Sequence, residues 1–185
     1  MLKNIRVVLV LFMICGMAYP LLITGLSQVM MPAQAEGSLI KNEKGKIIGS
    51  ELIGQSFEEA GYFHGRVSSI EYDAAGSGSP NYSPSNEEMI KRTKSEMSEF
   101  LKANPSIKKE EIPSDLMTNS GSGLDPNISP RGALVQVPRI AKERDISEQS
   151  LYNLVEENTE NRSFGLFGEP HINVLKLNIA LDDLK

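Results

Sequence analysis

The sequence predicts an α+β soluble domain carried by one N-terminal transmembrane helix, and three observations do most of the predicting. An uncharged apolar run fills positions 7–26. A helical period of apolar residues follows a polar loop near position 86, and short alternating apolar runs stand near both ends of the remaining chain. These features divide the 185 residues into a short tail (1–6), an anchor (7–31) and a soluble domain (36–185), large enough for one core.

The anchor, VVLVLFMICGMAYPLLITGL from Val7 to Leu26, is about 20 residues long and matches a hydrocarbon core about 30 Å thick. Pro20 leaves a carbonyl unpaired within it and predicts a kink, while Gly16, Ala18 and Gly25 offer a flat surface to a partner helix. The competing reading is a secretory signal cleaved after Ala33, Gln34 and Ala35. The apolar run exceeds the usual signal core of about 7–15 residues, which favours a retained span. Lys3 and Arg6 on one side, against Lys41, Lys44 and Lys46 mixed with Glu36 and Glu43 on the other, favour a cytoplasmic N-terminus and an extracytoplasmic domain.

After the anchor, apolar pairs at Leu39 and Ile40 and from Ile47 to Ile53 flank a polar stretch with Gly45, which predicts a β-hairpin. The Gly-, Ser- and Pro-rich run from Tyr72 to Ser85 reads as a loop. Ser85 with Glu88 resembles a capping box, opening a helix over 86–103 with Met89, Ile90, Met97, Phe100 and Leu101 on one face and Pro105 as its stop. Residues 112–130 read as a second loop, followed by Ser129 and Pro130 as cap and first residue of a helix that Pro138 interrupts. Ser147 caps a further helix through Leu151, Leu154 and Val155, with a break near Gly165 and Gly168. The terminal run alternates Leu175, Leu177, Ile179 and Leu181 with Lys176, Asn178, Ala180 and Asp182, which predicts a half-buried strand that could pair with the N-terminal hairpin.

Charge and motif content exclude several function classes. All 24 acidic residues follow Ala35, against 17 of the 19 basic ones, so the soluble part carries a net charge of −7 and no basic patch interleaved with aromatics for nucleic acid. Cys15 is the only cysteine and lies in the apolar run, so the domain has neither a disulfide framework nor a thiolate metal site. Neither a phosphate-binding loop ending in Lys-Ser/Thr nor a G-x-S-x-G elbow is present, and no catalytic residue is assigned. His64 and His171 lack any ligand spacing, and no metal is expected.

The candidate ligand or partner contacts are loop residues: Arg66 and Asp125, with Ser120 and Ser122 in the turn between them in sequence. A loop Arg–Asp pair is more often a structural tie than a binding site, and both readings stand at this level. A convergent pocket around His64, Arg66 and Asp125 would point to an anchored or secreted extracytoplasmic enzyme, and release at Ala35, read from the mass of the mature N-terminus, to a free secreted binding protein. A flat loop surface would point to an interaction module.

Four stretches carry a resemblance: GSELIGQSF with YFHGRVS (Gly49 to Phe57, Tyr62 to Ser68), GSGSPNYSPSN (Gly76 to Asn86), PSDLMTNSGSGLDPNISPRGALVQVPRIAKER (Pro113 to Arg144) and GEPHINVLKLNIAL (Gly168 to Leu181). Together they resemble the C subunit of the Kdp-type potassium-transporting ATPase, most specifically in the third. Val67 stands where that family commonly has proline, and Arg131 and Gly132 where it has acidic residues or alanine.

The resemblance implies a non-catalytic accessory subunit of an ATP-driven potassium importer. It would work beside a P-type ATPase subunit and a channel-like potassium-translocating subunit, with membrane lipid around the span. It also implies a chaperone-like role that raises ATP binding by the ATPase subunit, with no cofactor held tightly by this chain. The run ISEQS from Ile146 to Ser150 sets Gln149 one place early for the family's glutamine-bearing stretch, so no nucleotide role is carried to it.

Overall fold

The computed structural model describes residues 2–184 and divides into two compact units, Met1–Ser50 and Glu51–Lys185. In the first, α1 (Leu2–Met13) passes through a π-helical turn at Ile14–Ala18 into α2 (Tyr19–Met30). The wide turn precedes Pro20, which lies in the first turn of α2. Proline has no N–H to give to residue 16 and its ring crowds that carbonyl, and one π turn relieves both faults without breaking the helix. None of the helical residues is buried, and the helix Leu2–Met30 is long and apolar enough to cross a membrane. It starts earlier than the predicted anchor.

Met31 leaves helical geometry, a short helix α3 (Pro32–Ala35) follows, and β1 (Leu39–Lys41) turns into antiparallel β2 (Ile47–Ser50). The Asn42 side chain accepts from the amides of Lys44 and Lys46 at 3.1 and 3.0 Å, and Gly45 takes the positive φ of 72° that closes the turn. The hairpin is therefore present, with its second strand ending at Ser50.

The second unit is mainly helical. α4 (Glu87–Ala103) is capped by Asn86, whose side chain accepts from Met89 N at 3.0 Å. This corrects the expectation of a Ser85 cap, because the asparagine one residue later holds extended backbone and reaches the same orphan donors. Met97 and Phe100 pack against the core from this helix, whereas Ile90 is exposed.

The stretch 112–130 is only partly loop. α5 (Ser114–Met117) buries Leu116 and Met117, and β3 (Asn127–Ile128) pairs antiparallel with β4 (Ile172–Asn173). Helix α6 (Pro130–Leu134) starts at the Ser129 cap, whose hydroxyl accepts from Gly132 N at 3.0 Å. The interruption near Pro138 takes the form of a restart, with α7 (Val137–Arg144) carrying that proline in its first turn, where no intrahelical N–H is required. α8 (Glu148–Glu157) starts at Ser147 and buries Leu151, Leu154 and Val155.

The largest correction falls at the C-terminus. The run predicted as a strand is α9 (Val174–Asp183), capped by Asn173, and the strand that precedes it pairs with β3 rather than with the hairpin. Its buried residues are Val174, Leu175, Leu177, Asn178 and Leu181, a helical stripe at i, i+3, i+4 and i+7. The alternating pattern misleads because Asn178 is polar yet belongs to the inner face. α8 packs on α6, α7 and α9, and Phe63, Ile140, Leu151, Ile172, Leu177 and Leu181 form the fully buried centre.

Candidate functional site

The segment Ala60–Ser68 runs against this core, with Phe63 buried in it, and belongs to no sheet, so its covered peptide groups need other partners. Side chains supply them in sequence. Arg139 donates to the carbonyls of Ala60 and Tyr62, and Arg144 Nε donates to that of Gly61 at 2.6 Å. Asn178 accepts from Phe63 N and donates to Phe63 O, both at 2.9 Å, as a neighbouring strand would. Gln136 does the same for His64, at 2.8 and 3.0 Å, and its amide also donates to Gly132 O. Five successive carbonyls are thus taken by four side chains from α7, its N-terminal edge and α9.

Arg139 is 9% exposed and is held by Asn104 Oδ1 at 3.0 Å and Gln136 Oε1 at 2.8 Å besides the two carbonyls. Burial pulls its guanidinium down to about 10, partly opposed by Glu143, which still leaves it charged at neutral pH. Oxygen dipoles take the place of a carboxylate around this cation. Arg144 also stacks over Tyr62 at 4.4 Å and pairs with Asp182 at 2.8 Å.

Beyond His64 the segment enters the predicted site. Arg66 Nη1 meets Asp125 Oδ2 at 2.7 Å, while Nε and Nη2 face the Thr118 carbonyl at 3.4 and 3.3 Å. Asp125 Oδ1 accepts from Asn127 N at 3.0 Å, so the carboxylate braces both the arginine and the turn at Pro126. Tyr72 donates its hydroxyl to the Arg66 carbonyl, and burial pushes this phenol up to about 12, which keeps it a donor. Gly54 completes the packing: its amide donates to Leu124 O, and a Cβ there would stand 2.7 Å from the Asp125 carbonyl oxygen.

Ser120 and Ser122 shape the turn that supports Asp125. Ser120 Oγ accepts from Gly123 N at 2.9 Å and Ser122 Oγ from Leu124 N at 3.1 Å, with Gly123 in the left-handed region at φ 71°. Ser68 donates to the Gly123 carbonyl at 2.7 Å, Ser69 N to Asn119 Oδ1 at 2.6 Å, and Gly78 N to Ser122 O at 2.9 Å. Three loops are sewn together this way. Ser122 and Gly121 remain exposed at the surface.

The structure therefore brings Arg66 and Asp125 together, with Ser120 and Ser122 underpinning the pair. A shallow cleft of about 560 Å³ has His64, Arg66, Glu58, Glu96 and Glu99 on its walls, and Asp125 is not among its lining residues. His64 Nε2 lies 3.1 Å from the Glu59 carbonyl oxygen, and burial, then the Arg139 charge, lowers its pKa. His171 has a separate environment, 3.6 Å from Glu160. Among the described residues, no three His, Cys, Asp or Glu side chains converge as a metal site. Gln136, Arg139 and Asn178 were missed by sequence reasoning as determinants of this region. Each lies at helical spacing among buried apolar residues, a pattern that could have marked them as inward-facing.

Fold and site together define a small α+β domain following one apolar helix, with its central segment and surface loops held by side-chain hydrogen bonds. The family model for KdpC, the c chain of K+-transporting ATPase, matches residues 1–183, and the chain belongs to that family. It is 53% identical over 180 residues to the potassium-transporting ATPase KdpC subunit of Bacillus cereus (strain Q1), covering 97% of this chain and 93% of that protein. The subunits of the same name from Bacillus anthracis and from Bacillus thuringiensis subsp. konkukian are 52% identical over the same proportions.

Proposed function

We propose that this chain is a non-catalytic accessory subunit of an ATP-driven potassium importer, held in the membrane by its N-terminal helix and joined to the P-type ATPase and channel-like subunits. The observation that carries this reading is the family match, which runs through the apolar helix as well as the domain. Two further features support it. The chain has no DKTGT phosphorylation motif, and the polar groups of its candidate site serve one another: Arg66 is engaged by Asp125 and Thr118, and Ser120 and Ser122 by their own turn.

With Lys3 and Arg6 inside, the domain lies outside the cytoplasm and stabilises the assembly from there. Assistance to ATP binding then passes through the partner subunits, because cytosolic nucleotide cannot reach the domain. Protease added to intact cells or spheroplasts tests the arrangement, with the N-terminal helix detected in the same sample. Digestion of the domain from outside with the anchor retained is the expected result. Protection until lysis would reverse the orientation and return direct nucleotide contact to consideration.

A further inference from the structure

Helix α4 leaves a trough open between itself and the segment that carries His64. Glu96, Glu99, Phe100 and Ala103, at i, i+3, i+4 and i+7, line it from the helix, and Phe57, Glu58 and Val67 from the segment. Leu116 and Met117 of α5 lie at the base, so this cavity of about 340 Å³ has an apolar floor. It continues on one side into the cleft of about 560 Å³ beside Arg66, and on the other into a cavity of about 490 Å³ beside Lys102 and Lys142. Glu58 and His64 line all three. The space therefore has the length to take an extended chain.

The rim of the central cavity is acidic and under-compensated. Among the described residues, neither Glu58 nor Glu99 has an ion-pair partner. Glu96 Oε1 has only a long contact of 3.4 Å to Arg92 Nε, and its Oε2 is covered without a hydrogen-bond partner. Burial raises the pKa of this carboxyl, Arg92 opposes the rise, and Glu99 adds to it. A covered carboxylate oxygen without a partner costs the free domain stability, and two like charges at i and i+3 cost it more. Arg66, on the wall of the neighbouring cleft, is already taken by Asp125.

An apolar floor under an acidic rim selects a cation carried on an apolar stem. Lysine and arginine side chains have that build, with methylenes to lie on Phe57 and Phe100 and a charged head to reach the rim. An anionic lipid headgroup would meet like charge here, and a zwitterionic one brings its phosphate with its amine. A second copy of the domain carries the same net charge of −7 and is repelled. We infer that the trough along α4 seats an extended segment of another subunit of the transporter, with a lysine or arginine placed between Glu96 and Glu99 over the Phe57–Phe100 floor. The inference rests on the accessory-subunit reading.

The test uses the full chain co-expressed with the other subunits, carrying a photo-cross-linking amino acid in place of Ala103. A control carries it in place of exposed Lys94, about 200° around α4 from Glu96. Adducts are located by mass spectrometry. Position 103 should give an adduct on another subunit, beside a lysine or arginine, in about tenfold the yield from position 94. Adducts on lipid, on a second copy or on a segment without a basic residue would overturn the inference, as would equal yields from the two positions. Recovery of the unmodified chain with the other subunits is scored separately. If that chain does not co-purify, the accessory-subunit reading itself fails, whereas co-purification without the position-103 adduct refutes only the trough. The double substitution Glu96→Gln with Glu99→Gln should lower the position-103 adduct about tenfold, while the unfolding midpoint of the chain alone stays level or rises. An undiminished adduct would overturn the inference. Should that variant fail to fold, the unsubstituted complex decides: raising salt from about 0.05 to about 0.5 M should lower the adduct about threefold relative to the chain retained in the complex. A yield indifferent to salt would overturn the inference.

Discussion

Two irregular segments of the same domain solve their backbone problem in opposite ways. The stretch 60–66 lies against the core with Phe63 fully buried, and side chains from distant positions take the carbonyls of residues 60–64. The arm 160–171 stands out from the core and pairs with itself. The first is a long-range construction in which Asn178 contacts a residue 115 positions away, and the second is closed by neighbours. Stability should therefore be concentrated in the first, with little carried by the second.

The largest test of that contrast is Arg139→Ala. It strips donors from the Ala60 and Tyr62 carbonyls and from Asn104 and Gln136 in one step, and should cost about 4 kcal/mol in denaturant unfolding of the full chain in detergent. Asn178→Leu removes the partner of both Phe63 backbone groups at nearly constant volume. A loss of about 3 kcal/mol is expected, with little change in detergent-solubilised secondary structure until the transition. If either variant unfolds within about 1 kcal/mol of the wild type, less than the loss of several buried hydrogen bonds costs, side-chain pairing does not hold this segment.

These residues also mark the limit of what was legible. Most elements governed by local rules were legible: the hairpin around Gly45, the Ser129 and Ser147 caps and an interruption at Pro138 each depend on residues within a few positions of one another, although the cap expected at Ser85 belongs to Asn86. The C-terminal helix failed because Asn178, treated as outward-facing polar, is an inward-facing one whose partner lies near position 63. Arg66 and Asp125 could be named as a loop pair from residue type, but not their shared dependence on Thr118, Tyr72 and Gly54, which the chain brings together only on folding.

A smaller effect belongs to His64, at the end of the interior segment. Burial lowers its folded pKa below 6.5, with the Arg139 charge acting in the same direction. The unfolded chain therefore takes up the proton first. The contribution of neutral His64 to stability is complete above 6.5 and is lost as pH falls through the folded value. Unfolding midpoints measured between about pH 7 and about pH 5 should fall more steeply for the wild type than for His64→Gln. Equal slopes would show that the ring is solvated in the native state.

At the surface the expected effects shrink again. Arg66→Ala breaks an ion pair whose side chains are 21% and 27% exposed, so screening reduces its contribution, and about 1 kcal/mol is expected in the same unfolding measurement. Arg66→Lys should recover only part of this, because an ammonium cannot face Asp125 and the Thr118 carbonyl together in the arginine's planar arrangement.

The smallest intramolecular effect should come from the arm, where the contrast is sharpest. Phe164 touches too little of its own chain for Phe164→Ser to remove packing, and serine is no worse than phenylalanine in the left-handed turn. The unfolding midpoint of the isolated chain should shift by less than about 0.5 kcal/mol in free-energy terms, the range of an ordinary surface change. A loss of 2 kcal/mol or more, the order expected for a buried aromatic, would mean that the ring packs on its own domain in solution, and the arm would then belong with the interior segment as part of the fold. A null result keeps the two segments apart, with the interior one held by packing and hydrogen bonds and the arm contributing little to the stability of its own domain.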